Sequence, residues 1–121
     1  MNKPWEDEPN ELDFMVEGFP CAIRRHTRFL HLCGYIGVAP YIAPSNYNDF
    51  WPAVHGGWTF SSDRKPNGNP DGLVWFGFDC AHCDDIVPGG RFIHEWQTYR
   101  TIQYVREELE RVAKELAEEI V

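Results

Sequence analysis

Two short stretches of the chain set metal-binding and acid/base side chains at the ends of aromatic strand patterns. The first is Val54-His55-Gly56-Gly57-Trp58-Thr59-Phe60, and the second is Trp75-Phe76-Gly77-Phe78-Asp79-Cys80-Ala81-His82-Cys83-Asp84-Asp85. In the second, Asp79, His82 and Asp85 recur at every third residue. Past a strand end, that spacing lets one turn direct all three inward. Imidazole nitrogens and carboxylate oxygens are donors that zinc and other divalent ions accept. A catalytic ion keeps one position open for water and depresses its pKa toward neutrality. The expected ligands are His55, Asp79 and His82, holding one divalent ion, with zinc the ion these donors favour. Asp85 and His82 are the expected catalytic groups, Asp85 orienting a ligand or acting as base. Gly56 and Gly57 carry backbone N–H groups with no side chain above them, where a substrate oxygen or anion could approach.

The same residues admit other chemistry. His55 or His82 oriented by Asp79 would be a general base without a metal. Cys80 and Cys83 form a C-x-x-C, but no second such pair or close histidine pair completes a zinc-finger pattern. Either cysteine could replace a carboxylate as ligand, and both with two histidines would make a closed structural site. Cys80 as a nucleophile would need a depressed thiol pKa, which no sequence pattern supplies. A structural account is also open: His55 bonded to Asp79, Gly56-Gly57 a bulge, Asp84 and Asp85 solvated turn acids.

A hairpin would position these groups. Val54–Ser62 and Leu73–Phe78 read as strands, and the Pro66-Asn67-Gly68-Asn69-Pro70-Asp71-Gly72 run between them is turn chemistry throughout. Antiparallel pairing places the start of the first strand beside the end of the second, and so His55 near Asp79 and Cys80. Upstream, Cys21–Val38 is rich in β-formers and reads as two strands turning near Thr27, or one long bent strand. Gly34 and Gly37 mark a bulge or a close backbone approach. Residues 39–53, with Pro40, Pro44 and Pro52, read as a covering loop with one helical turn around Tyr47–Trp51.

The C-terminus reads as a helix with Thr98 as N-cap. Its stripe is Ile102, Val105, Leu109, Val112, Leu116 and Ile120, spaced at three and four residues. Opposite charges at i,i+4, such as Arg111 and Glu115, add only about 0.2–0.5 kcal/mol per pair, so the apolar stripe decides the packing. The expected fold is therefore α+β: an antiparallel sheet of four or five strands packed against one long C-terminal α-helix. Residues 1–18 are expected to form an acidic arm pinned by Trp5 and Phe14, and residues 19–121 a single domain.

Charge and composition narrow the function classes. Net charge is −8 over 121 residues. Residues 1–18 hold six acids against Lys3, residues 106–121 hold six acids against three bases, and the middle has seven of each. Binding to a nucleic-acid backbone is disfavoured, because it draws on Lys and Arg to release counterions. The local exception is Arg24-Arg25-His26-Thr27-Arg28, where Arg24 and Arg28 would hold an anionic ligand if the first strands border the site. No apolar run approaches the roughly 18 residues of a membrane span. The acidic start lacks a secretory signal, which makes a cytoplasmic location the expectation. With four cysteines and no such signal, a disulfide framework is not expected, and Cys21 and Cys33 read as small buried side chains.

The run His55-Gly56-Gly57-x-Thr59-Phe60, followed by Gly77-Phe78-Asp79-Cys80-Ala81-His82-x-x-Asp85, resembles a family of small uncharacterised proteins of bacteriophages and bacteria. Cys33-Gly34-Tyr35-Ile36-Gly37-Val38, Tyr99-Arg100, Tyr104-Val105 and Leu116-Ala117 are similar too, so the resemblance covers roughly residues 28–117. Trp58 stands where the family favours a smaller aliphatic residue, and Cys83-Asp84 stands where it has a small Ala-Gly pair. The resemblance thus weights His55, Asp79, His82 and Asp85 above Cys83. Two functions follow as expectations. One is metal-assisted hydrolysis or ligand binding of an unidentified small molecule. The other is a non-enzymatic acidic accessory protein in a host cytoplasm, which binds or inhibits a host protein through its charge.

Overall fold

Alternation of apolar residues builds five strands, β1 (Glu11–Val16), β2 (Phe19–Arg25), β3 (Leu32–Val38), β4 (Phe60–Arg64) and β5 (Pro70–Asp79). The computed structural model describes residues 3–120, leaving Met1, Asn2, Val121 and the side chain of Ile120, the last of the expected stripe, outside it. The strands form one sheet in the order β1-β2-β3-β5-β4, with every neighbouring pair antiparallel. A short helix α1 (Pro4–Asp7) precedes them and a long helix α2 (Ile102–Ile120) follows. The architecture is α+β, as the sequence pattern implies. Among the described residues, no helix is long and apolar enough to cross a membrane.

One sheet face is the core. Cys21, Ile23, Leu32, Ile36, Val38, Phe76 and Phe78 are buried there, and α2 lays Val105, Leu109, Val112, Ala113 and Leu116 against β1, β2 and β3. A covering segment seals β5 beside the helix. Phe50 stacks on Phe76 with centroids 4.0 Å apart, and Trp58 meets Phe78 edge-on at 5.8 Å. The Trp58 indole N–H is satisfied by the Pro52 carbonyl at 2.7 Å. The segment's helical content is two short 3-10 turns, Pro40–Ile42 and Tyr47–Asp49.

Three local expectations change, and the alternatives left open for Cys21–Val38 are settled. Residues 11–16 are not arm but edge strand, because Leu12, Phe14 and Val16 pair across from Ile23, Cys21 and Phe19, and Glu17 and Gly18 at positive φ close the hairpin. The proposed boundary at residue 18 therefore cuts through a hairpin. Cys21–Val38 takes the two-strand form, with Gly34 in unbroken register and chosen for close approach instead of a bulge. The strand after Pro52 starts at Phe60, not Val54, since Gly56 and Gly57 at φ 68° and 86° turn the chain. The helix is capped by Thr101, whose Oγ1 accepts the Tyr104 N–H at 3.0 Å, while Thr98 is drawn into a parallel bridge with Asp85.

The N-terminal segment is also anchored by charge. Glu8 accepts the Tyr99 hydroxyl at 2.6 Å and the Ile102 N–H at 2.8 Å, and pairs with Arg25 at 3.3 Å. A carboxylate at a helix N-terminus is favoured by the free N–H groups there. Trp5 packs edge-on against Tyr99 at 5.0 Å. These contacts hold residues 98–102, and with them the approach to α2, in place.

A β-carbon at Gly34 would lie 2.6 Å from Phe78 Cε1 and 2.9 Å from Val105 Cγ1. Both neighbours are buried, so neither can give way freely. Gly34→Ala is expected to lose about 1–3 kcal/mol of stability by overpacking, read as a lowered urea midpoint. Gly18→Leu, whose β-carbon meets nothing within 4 Å, would act only through backbone strain and so separates the two effects.

Candidate functional site

Three pieces of chain converge at one end of the sheet. The turn Val54–Gly57 is closed by the Gly57 N–H on the Val54 carbonyl at 2.9 Å and has a positive φ at its third residue, the type II pattern. It presents His55. The segment leaving β5 presents His82 and Asp85, the approach to α2 presents Arg100, and the first turn of α2 presents Tyr104. Asp85 is fixed by its own backbone: its N–H meets the His82 carbonyl at 2.9 Å, and Ile86 and Thr98 exchange bonds with Thr98 and Asp84 at 2.8 Å.

Asp85 has no side-chain exposure, yet its carboxyl is held below the ordinary carboxylate value. Burial opposes ionisation, but hydrogen bonds from His55, Arg100 and the His82 backbone outweigh it. Arg100 Nε donates to Oδ1 at 2.7 Å, and the His82 N–H donates to Oδ2 at 2.9 Å. His55 Nε2 lies 3.0 and 2.9 Å from the two oxygens, and His82 Nδ1 lies 3.2 Å from Oδ2. An ionised carboxylate only accepts, so His55 Nε2 carries the proton in this state. Its Nδ1 then accepts the Tyr104 hydroxyl at 2.8 Å. The Tyr104 phenol is pushed up by burial and by Glu108, which keeps it protonated. The result is a continuous chain, Tyr104 to His55 to Asp85 to Arg100.

Packing fixes the rings. His55 stands edge-on to Tyr104 at 5.3 Å and to His82 at 5.5 Å. Its backbone N–H donates to Glu108 at 2.9 Å, tying the turn to α2. The Gly56 Cα lies against the His82 ring, so that a β-carbon there would overlap the imidazole. The Arg100 guanidinium lies over the Tyr104 ring at 5.1 Å.

The structure gathers His55, His82 and Asp85, whose ligand atoms lie within 4.8 Å of one another, so the cluster could hold a metal ion. Asp79 stands outside that group. As the last residue of β5 it alternates with buried Phe78, and its carboxylate is taken by the Ala81 N–H at 3.0 Å and the Thr59 hydroxyl at 3.3 Å. It remains 3.9 Å from His82 Nδ1. The Gly57 N–H, expected to face a ligand, is spent inside its turn. Arg24 is paired with Asp13 at 2.8 Å, and Arg28 lies over Phe29 at 5.1 Å, so neither joins the cluster. Burial raises the Cys80 thiol strongly, followed by repulsion from Asp85, which removes it as a nucleophile. Cys33 is likewise pushed up to about 11 by burial.

Arg100 and Tyr104 were legible only as members of the resemblance. Arg100 precedes the Thr101 cap and Tyr104 lies in the first turn of α2, so no periodicity in the sequence links the two. Two clefts lie away from the cluster: one of about 720 Å³ is lined by Met15, Tyr41 and Leu73, and one of about 350 Å³ by Arg24, His26 and Asn67. The cluster is reached at the surface, through His82 at 34% and Arg100 at 21% side-chain exposure. No protein-family model matches the chain, and no curated protein or solved structure is significantly similar to it.

Asp85→Asn leaves Arg100 without its counter-charge and is expected to cost about 3–5 kcal/mol at neutral pH. Because the folded carboxyl titrates below its unfolded value of 3.8, its contribution is present above that pH and is lost as pH falls through the folded value. The stability gap between the two proteins, measured by urea unfolding from pH 7 to pH 3, should therefore narrow on acidification. Gly56→Ala is expected to destabilise the fold and displace the His82 ring, seen as shifts in the imidazole proton and nitrogen resonances.

Proposed function

We propose that His55, His82 and Asp85 bind one divalent ion, zinc by preference, with an open position toward solvent beside His82 that serves hydrolysis or ligand binding. The observation that carries this reading is that a single oxygen, Asp85 Oδ2, lies 2.9 Å from His55 Nε2 and 3.2 Å from His82 Nδ1. Tetrahedral zinc with bonds of about 2.0–2.1 Å sets its ligand atoms about 3.3–3.4 Å apart. A small expansion would bring these two distances to that spacing, and the ligand atoms of all three residues already lie within 4.8 Å of one another. Three protein ligands leave the fourth position for water, the pattern of catalytic and not closed structural sites.

The outer contacts support the same reading. Arg100 stays on Oδ1 and steers Oδ2 inward, and Tyr104 can reverse its bond. Were His55 Nε2 a ligand, the ring proton would sit on Nδ1 and the Tyr104 oxygen would accept it. A hydroxyl serves either way at one distance. Such outer partners fix the orientation of ligating imidazoles. In this arrangement Asp85 is a ligand and not the base.

A second reading is favoured by one observation: both oxygens of Asp85 already have donors. The cluster would then be a structural network in an acidic accessory protein of phage type, acting on a host protein through its net charge of −8.

Elemental analysis of protein prepared without chelators separates the two. One zinc per chain is expected, falling to well below stoichiometry in His55→Ala and His82→Ala. Absence of bound metal, with no uptake of added zinc, overturns the metal reading. Full retention of metal in both variants overturns the ligand assignment.

A further inference from the structure

We infer that the open position of the proposed ion is matched to an oxyanion, a carboxylate or phosphate group, which the terminal nitrogens of Arg100 hold. This rests on the metal reading above. Arg100 spends only Nε on Asp85, at 2.7 Å. Its Nη1 and Nη2 form no hydrogen bond with any described residue, and neither is a buried unpartnered atom. The guanidinium is held at one edge by Asp85 and over one face by the Tyr104 ring, 5.1 Å away. A fork fixed in this way loses little freedom on taking up a planar or tetrahedral oxyanion.

Geometry places the two anchors side by side. Asp85 offers Oδ1 to Arg100 and Oδ2 to the imidazoles, so its one carboxylate would bridge the guanidinium and the ion. A ligand oxyanion would bridge the same pair from the solvent side, one oxygen on the ion and another on Arg100. Charge points the same way. A divalent ion and Arg100 together exceed the single charge of Asp85 by two, and counting the nearby Asp79 still leaves a positive site. Glu108, on the His55 backbone, is already paired with Arg111 at 3.3 Å. The anion-holding role expected of Arg24 and Arg28 falls to an arginine that the chain brings in from the other end.

The test uses the full chain loaded with cobalt(II), whose visible absorption reports its ligands. Inorganic phosphate and, separately, acetate are titrated into it. A saturable spectral change is expected with one or both, and the tighter of the two identifies the phosphate or the carboxylate class. Arg100→Gln keeps a nitrogen where arginine has Nε, so the bond to Asp85 survives while the terminal nitrogens are lost. That variant should still bind one cobalt per chain and bind the anion at least tenfold more weakly. Cobalt binding without any response to either anion overturns the inference and leaves the metal centre standing. Equal anion affinity in Arg100→Gln also overturns it. Failure to bind cobalt removes the metal centre and the inference together. The titration of the unsubstituted protein decides the matter even if the variant does not fold.

Discussion

A carboxylate sealed from water organises this protein. Asp85 lies at the meeting point of three distant pieces of chain, and an isolated charge there would not survive desolvation. It stays ionised only because donors from a turn, from its own segment and from the approach to α2 all aim at it. Each donor is itself anchored elsewhere: His55 through Glu108 and Tyr104, Arg100 through the Tyr104 ring, and residues 98–102 through Glu8. Loosening any one of these raises the cost of the charge. The sheet and helix therefore depend on this polar junction as much as on the apolar layer between them.

The parts of the fold that follow from local periodicity were readable in the sequence. The helical stripe from Ile102 to Leu116 and the two-strand pattern of Cys21–Val38 announce themselves by spacing, and the Asn/Gly/Pro-rich hairpin loop by turn chemistry. The acidic N-terminus was harder. Its charges suggested solvent, but an edge strand needs only one apolar face, and Leu12, Phe14 and Val16 supply it. Charge on the other face is ordinary for an edge, where it also discourages pairing with another chain.

The site was legible in part. His55, His82 and Asp85 lie in the two motifs, and their residue types supply the nitrogen and carboxylate donors that could hold an ion. The choice between Asp79 and Asp85 was not declared, because it turns on strand parity: the residue after Phe78 must face away from the core side. Arg100 and Tyr104, named only through the resemblance, could not be tied to the cluster for another reason. They lie some forty-five residues beyond His55, and only the tertiary fold brings them to it. The basic run at Arg24–Arg28 was the louder signal, but those charges answer Asp13 and Glu8, or lie in the open over Phe29.

The parallel bridge between Asp85 and Thr98 has a consequence for how this molecule can vary. Its paired bonds, Ile86 to Thr98 and Thr98 to Asp84, close the intervening chain into a loop whose two feet are fixed side by side. Phe92, Ile93 and Trp96 stand exposed on that loop. Gly89 ties the first part of the loop to the Phe29 carbonyl at 2.7 Å, so the stretch that can be exchanged with little strain passed inward is residues 91–96. The fold thus separates a fixed anchor from an exposed segment that can change without moving it, as a socket is indifferent to what is fitted beside it.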